Sequence, residues 1–511
     1  MPVLTALLLV VSAFAVPLQE HDLDAALRLN IRTAVGYDAF ERIERGVSFS
    51  GKAKFLGVDS DFSFLFTQKG EFVEQITGRL TMSQGFDGKT TWLSDWHGVV
   101  RILEMEDEDS AHLFAAVMTH SWLSDRSRVA KLSAKRQGGE FVIPLRLPDS
   151  PAVAEIFVDA ETYLPKRYVR ETPAGDEVIE FKEYREFRGV KFPVAVTQTE
   201  GGVVNTYSIT TIEPLPMFIR NPFEVPVASG ARAAFDPAKP PSVQSRRAIT
   251  GHTMVRASLD GGEEKWFILD SGAGITVLDK KLADDMKLDA FGELPVLGIG
   301  GLVKAQFRPL NTITVGPVAL KEINAISIDL GMLRTVFGSE FGGIIGYDLL
   351  AHAVVEYDHA TPSVAIHDPK RYTLGGGKWL RLRFNSKLPC VEAAFEGGFK
   401  DVFRLDTGAP NNVTFHAPAV RKYRLLEGRK TTDTMLGGVG GMIQAKAGKI
   451  KYFEVGGKRI EEPTVTFATS DDSAFGDPYL AGNLGTAFLD RFTVVFDYVN
   501  QRVAFVDKPS N

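Results

Sequence analysis

Trp266-Phe267-Ile268-Leu269-Asp270-Ser271-Gly272-Ala273 decides how this chain is read. Four apolar residues run straight into an acid, a hydroxyl residue and a glycine. The pattern is that of a buried strand ending in a tight turn that presents one carboxylate. The same order returns 136 positions later as Val402-Phe403-Arg404-Leu405-Asp406-Thr407-Gly408-Ala409. Arg404 interrupts this second run, and strand alternation is expected to turn it outward.

One Asp-[Ser/Thr]-Gly match proves little, so what recurs around it matters. Gly298-Ile299-Gly300-Gly301-Leu302-Val303-Lys304-Ala305 begins 28 residues after Asp270, and Gly438-Val439-Gly440-Gly441-Met442-Ile443-Gln444-Ala445 begins 32 after Asp406. Gly343-Ile344-Ile345-Gly346 is answered by Gly482-Asn483-Leu484-Gly485; their last glycines lie 76 and 79 residues after the two acids. Three landmarks in one order make an internal repeat of supersecondary units. Asp270 and Asp406 are therefore expected to meet as halves of one site.

Both halves resemble retropepsin-type aspartic proteases, with two copies in one chain as in the two-lobed pepsins. The resemblance covers about half the protein and implies a mainly β fold: two β-barrel lobes, 248–370 and 378–508, forming a pseudo-dimer. It implies an exported aspartic-type endopeptidase acting on a polypeptide substrate, with Asp270 and Asp406 catalytic. By the same resemblance, Ser271 and Thr407 would bond across the lobe interface, and Gly272 and Gly408 would let the backbone approach the acids. Gly298, Gly300 and Gly301, with Gly438, Gly440 and Gly441, would form flaps. Asn483 departs from the family by standing where an apolar residue is usual. Gly274 and Pro410 follow the alanines, where polar residues are common.

Two carboxylates held side by side share one proton. The ionised member can take a proton from a water between them, and the protonated member can give one to a scissile carbonyl oxygen. No metal or other cofactor is expected, since the nine histidines show no ligand spacing. The rival class is a non-catalytic periplasmic binding protein for lipid or polypeptide that keeps the protease fold.

Composition fits a folded protein with real cores: 44% apolar, 24% charged, net charge −6. No basic cluster points to nucleic acid. Residues 3–16 are apolar and uncharged, too short to span a bilayer, and Ala13-Phe14-Ala15 is a small-x-small cleavage pattern. Residues 1–15 therefore read as a signal peptide, implying a periplasmic or secreted protein. No later stretch is long and apolar enough to cross a membrane. The single cysteine, Cys390, reads as a buried thiol.

Residues 20–225 form a separate region. Helical spacing over residues 24–45 gives way to strand alternation at Val47, Phe49, Gly51, Ala53 and Phe55, then at Phe62, Phe64 and Phe66. A second helical patch lies near residues 111–122, and five more strands run between residues 154 and 212. The acidic run from Glu104 to Asp109 is expected to be a solvated loop. Asp159 to Arg167, Phe181 to Tyr184 and Gly189-Val190-Lys191-Phe192-Pro193 resemble the bacterial lipoprotein-carrier fold. That implies an α+β antiparallel half-barrel holding a lipid or apolar ligand; against it, Phe62, Phe64, Phe66 and Trp92 would simply fill a core. Proline-rich residues 226–247 read as a linker or surface wrap.

Overall fold

In a computed structural model of the chain, the described residues are 23–508 apart from 173, 218–219, 229–231, 299–300, 359, 439–440 and 472–473. The expected leader, Gly300 and Gly440 lie outside them. The architecture is mainly β. No helix among the described residues is long and apolar enough to cross a membrane.

The N-terminal region is one open antiparallel sheet of 14 strands, centred on Val47–Phe55 paired with Val203–Pro214. Its first helix, Ala25–Val35, starts where the Asp24 carboxylate accepts the Leu27 N–H, and stops at Gly36 with φ 73°. Register sets Phe49 opposite Phe64 and Val47 opposite Phe66. The two alternating patterns thus share the helix-covered face. There Phe49 lies 4.9 Å from Phe66 and 5.2 Å from Phe192, ring centre to ring centre, with Phe114 of the helix Met105–Thr119 on Phe64. Trp92 belongs elsewhere. It packs on the opposite face with Val73, Leu215 and Phe223, and its indole N–H donates to the Phe223 carbonyl at 2.8 Å.

The acidic run is not a solvated loop. Met105 to Asp109 open the helix Met105–Thr119, where the first-turn N–H groups favour negative charge. The side chains also find partners in the second lobe: Glu104 pairs with Arg381, Asp107 accepts the Ser386 N–H, and Asp109 accepts the Tyr479 hydroxyl. Residues 226–247 likewise do more than link. Ala233–Phe235, Ser242–Val243 and Ser245–Arg247 are short strands added to sheets of the C-terminal half.

In that half one pairing scheme occurs twice. Thr253–Leu259 runs antiparallel to Lys265–Leu269, which lies parallel to Phe341–Ile345. Leu388–Phe395 runs antiparallel to Phe399–Leu405, which lies parallel to Gly482–Leu484. Each scheme carries a glycine-tipped hairpin: Phe291–Gly298 with Gly301–Val315, and Thr432–Gly438 with Gly441–Lys449. A six-stranded sheet joins the two sets, in the order Ser242–Val243, Ser363–His367, Val354–Asp358, Phe492–Asp497, Arg502–Asp507, Trp379–Arg381. One apolar cluster runs through both, from Phe267 and Leu349 to Phe403 and Phe488. The joint between the two sets, residues 372–378 with Gly375-Gly376-Gly377, is packed on the six-stranded sheet by Tyr372 and Leu374.

Candidate active site

Two parallel strand pairs end at the same place. Leu269 is in register with Ile345 and Leu405 with Leu484. The Asp270 N–H then donates to the Ile345 carbonyl and the Asp406 N–H to the Leu484 carbonyl, both at 2.9 Å. Each chain turns immediately afterwards, and the two turns lock together. The Ser271 hydroxyl donates to the Leu405 carbonyl at 2.8 Å and accepts the Thr407 N–H at 3.0 Å. The Thr407 hydroxyl donates to the Leu269 carbonyl at 3.0 Å and accepts the Ser271 N–H at 2.8 Å. All four bonds are buried, where an unmade partner would cost about 1–3 kcal/mol.

The grip brings Asp270 and Asp406 together. A Cβ on Gly272 would lie 2.7 Å from an Asp406 carboxylate oxygen, and one on Gly408 would lie 2.4 Å from the Asp270 carboxyl carbon. Both positions therefore need glycine for closeness to the opposite acid. The Gly272 N–H donates to Asp270 at 2.7 Å and the Gly408 N–H to Asp406 at 3.0 Å. Beneath them Gly346 and Gly485 press on the turn carbonyls; a Cβ would come within 2.6 Å of the Asp270 and Ala409 carbonyl oxygens respectively. Ala273 and Ala409 accept the N–H groups of Tyr347 and Thr486.

Both acids are half-buried, and packing raises both carboxyls above the ordinary range. Asp270 is pushed up to about 7, by burial first and by the Asp406 charge second. Asp406 is raised by burial, with the Arg404 guanidinium opposing. Two like charges this close resist joint ionisation, so the pair is suited to carry one proton.

The second turn has polar company that the sequence pattern did not assign. The Asn483 side-chain amide lies 3.2 Å from Asp406 Oδ2, and its oxygen lies 2.9 Å from His416 Nε2. Arg404 does not turn outward. It is nearly buried and pairs with Asp477 at 3.4 Å, and Asn385 donates to the same carboxylate at 2.8 Å. The hairpin glycines Gly298, Gly301, Gly438 and Gly441 end their strands as paired residues. Cys390 is fully buried and its thiol pushed up to about 12, which keeps it protonated.

No curated protein matches the sequence. Among solved structures, the crystal structure of aspartic proteinase from Irpex lacteus is 14% identical, covering 54% of this chain and 97% of that one with a TM-score of 0.35, too slight a likeness to bear on the fold. Residues 255–349, which hold Asp270, the first glycine-tipped hairpin and Gly346, match the family model described as aspartyl protease.

Proposed function

We propose that the chain is an exported aspartic-type endopeptidase whose two retropepsin-like lobes form a pseudo-dimer around an Asp270–Asp406 dyad. The observation that carries this reading is the reciprocal Ser271–Thr407 grip, which holds each acid against the glycine beside the other and so suits the pair to share a proton. One carboxylate takes a proton from water as its oxygen bonds to the peptide carbon. The other gives its proton to the carbonyl oxygen, forming a gem-diol. Collapse of the gem-diol breaks the C–N bond, moves one proton to the departing amine and returns one to the dyad. The glycine-tipped hairpins suit main-chain pairing with an extended polypeptide. Export rests on the leader-like residues 1–15. In the N-terminal region, the open antiparallel sheet with helices on one face supports the carrier-like half-barrel, and the Phe49, Phe64, Phe66 and Phe192 packing supports a filled core over a lipid pocket.

The test is cleavage of a denatured protein mixture across pH, with and without a statine-type inhibitor. Asp270→Asn and Asp406→Asn are each expected to lower cleavage by about 10²–10⁴-fold while the fold persists. Cleavage retained in either variant overturns the dyad. A wild-type chain that binds the inhibitor yet cleaves nothing from pH 3 to pH 8 overturns the enzyme reading in favour of a non-catalytic polypeptide binder.

A further inference from the structure

The two acids are related by the repeat, but their surroundings are not. Antiparallel register sets Val277 opposite Ile344 in the first lobe and Thr414 opposite Asn483 in the second. Asn483 thus occupies the position of Ile344, an apolar residue packed with Met254, Trp266 and Phe341. Two residues beyond each partner stand Asp279 and His416. Asp279 is engaged elsewhere, by Arg334 and the Leu330 N–H. His416 is fully buried and reaches Asn483. Among the described residues, a side-chain chain of hydrogen bonds runs to the acid in the second lobe alone.

The direction of that chain is set by the Asn483 amide, which turns its oxygen to His416 and its nitrogen to Asp406. The His416 Nε2 lies 2.9 Å from the Asn483 oxygen and its Nδ1 lies 3.4 Å from the Asp477 carbonyl. Both neighbours are acceptors, and a neutral imidazole has one N–H to give. Burial first, and the Arg404 charge second, keep the ring neutral, at about 3. The closer acceptor takes the proton, so Nε2–H points at the Asn483 oxygen. The Asn483 NH₂ faces Asp406 Oδ2 at 3.2 Å, and the Nε2–H on its oxygen holds it in that orientation. A donor held there favours a carboxylate over a carboxylic acid.

The other groups facing the pair do not undo this asymmetry. Arg404 lies on the Asp406 side, held by Asp477 and lowering both acids. His252, from the first lobe, bonds to the Gly408 backbone; burial lowers its pKa, and its charge when protonated lowers Asp406, in the same sense as the amide. Tyr357 and Tyr498 are held protonated by burial. Asp270 accepts the Gly272 N–H and shares the Gly408 N–H with Asp406.

We propose that His416 and Asn483 are positioning residues that order the shared proton: Asp406 is the ionised, water-activating member, and Asp270 is the member that holds the proton and gives it to the carbonyl oxygen. This assignment rests on the endopeptidase reading for its consequence in catalysis, but not for its own test. The relay transfers no proton itself. It fixes an amide, and the amide selects which carboxyl is charged.

The experiment is a pH titration of the full chain labelled with ¹³C at aspartate carboxyls, followed by NMR. Asp406 observed in Asp270→Asn should ionise about one pH unit below Asp270 observed in Asp406→Asn. Asn483→Leu, which copies the apolar first lobe, should raise the Asp406 step by about one unit, and His416→Phe should raise it because the freed amide can turn over. His416→Gln keeps an N–H donor and should restore the wild-type value, whereas a merely space-filling histidine would not distinguish Phe from Gln. In peptide cleavage, the acidic limb of kcat/KM should move with the same variants while KM stays put. An Asp270 that ionises first, or an Asp406 step unmoved in both Asn483→Leu and His416→Phe, overturns the proposal. Ordered titration in a wild-type chain without cleavage leaves the ordering standing and refutes the endopeptidase reading instead.

Discussion

The two glycine-tipped hairpins are built alike and held differently. The first, Phe291–Gly298 with Gly301–Val315, lies against turns of the N-terminal region. Glu293 donates its N–H to the Leu56 carbonyl at 2.8 Å, and the Arg79 guanidinium rests 3.7 Å over the Phe291 ring while pairing with Asp289. A Cβ on Gly201 would lie 2.6 Å from Pro295, so that turn abuts the hairpin directly. Leu56, Leu80 and Val203 are buried in one cluster with Ala305 and Phe307. The second hairpin, Thr432–Gly438 with Gly441–Lys449, leaves Met435 50% and Met442 62% exposed, and packs Leu436 and Ala445 on Ala468 and Phe475 of its own lobe. The N-terminal region is therefore a wall of the first lobe, whereas the second hairpin rests on its own lobe.

Three experiments would break or sharpen that contrast. The largest effect is expected from Leu80→Ala, which empties a fully buried site between the N-terminal region and the first hairpin. The loss should be about 2–5 kcal/mol, read as faster amide exchange over residues 291–315 with the second hairpin unchanged. Equal acceleration in both hairpins would mean that the wall is shared.

A smaller effect concerns the border with the second lobe. Glu106 is pushed up to about 8, by burial first and by the Asp477 charge second. A carboxyl raised in the folded state stabilises the fold below its unfolded value, and that contribution is lost as pH rises through the folded one. Stability should thus fall between about pH 4 and pH 8. Glu106→Gln should shrink the difference between pH 5 and pH 8 by an amount on the order of 1 kcal/mol, measured by urea denaturation. The smallest effect is expected from Arg79→Ala, about 0.5–1 kcal/mol. It should appear as a few-fold faster exchange at residues 291–298 alone.

The strand-and-turn order around each acid was legible because it is local: an apolar run, an acid and a glycine specify a buried strand with a tight exit. The hairpin and Gly-x-x-Gly landmarks were legible because they recur. What was not legible is what the fold brings in from a distance. Arg404 was expected to face outward by alternation, but Asp477 lies 73 positions further along and only the folded chain pairs them. Nothing in the sequence around His416 marks it, although the polar Asn483 in an apolar position was a signal that something must satisfy it. The acidic run at Glu104 to Asp109 misled for the same reason. Its partners Arg381, Ser386 and Tyr479 belong to the second lobe, so local charge density argued for solvent. Trp92 does fill a core, as expected, but nothing near it in the sequence announces the cover supplied by Phe223.

The six-stranded sheet has one further consequence. Val354–Asp358 and Phe492–Asp497 meet at its centre, and the packed joint before Trp379 makes them parts of a single polypeptide. In an assembly of two identical subunits every substitution is inherited twice, once on each side of the axis. Here a residue such as Asn483 or His416 alters one side alone. Covalent union is what permits the surroundings of Asp270 and Asp406 to differ.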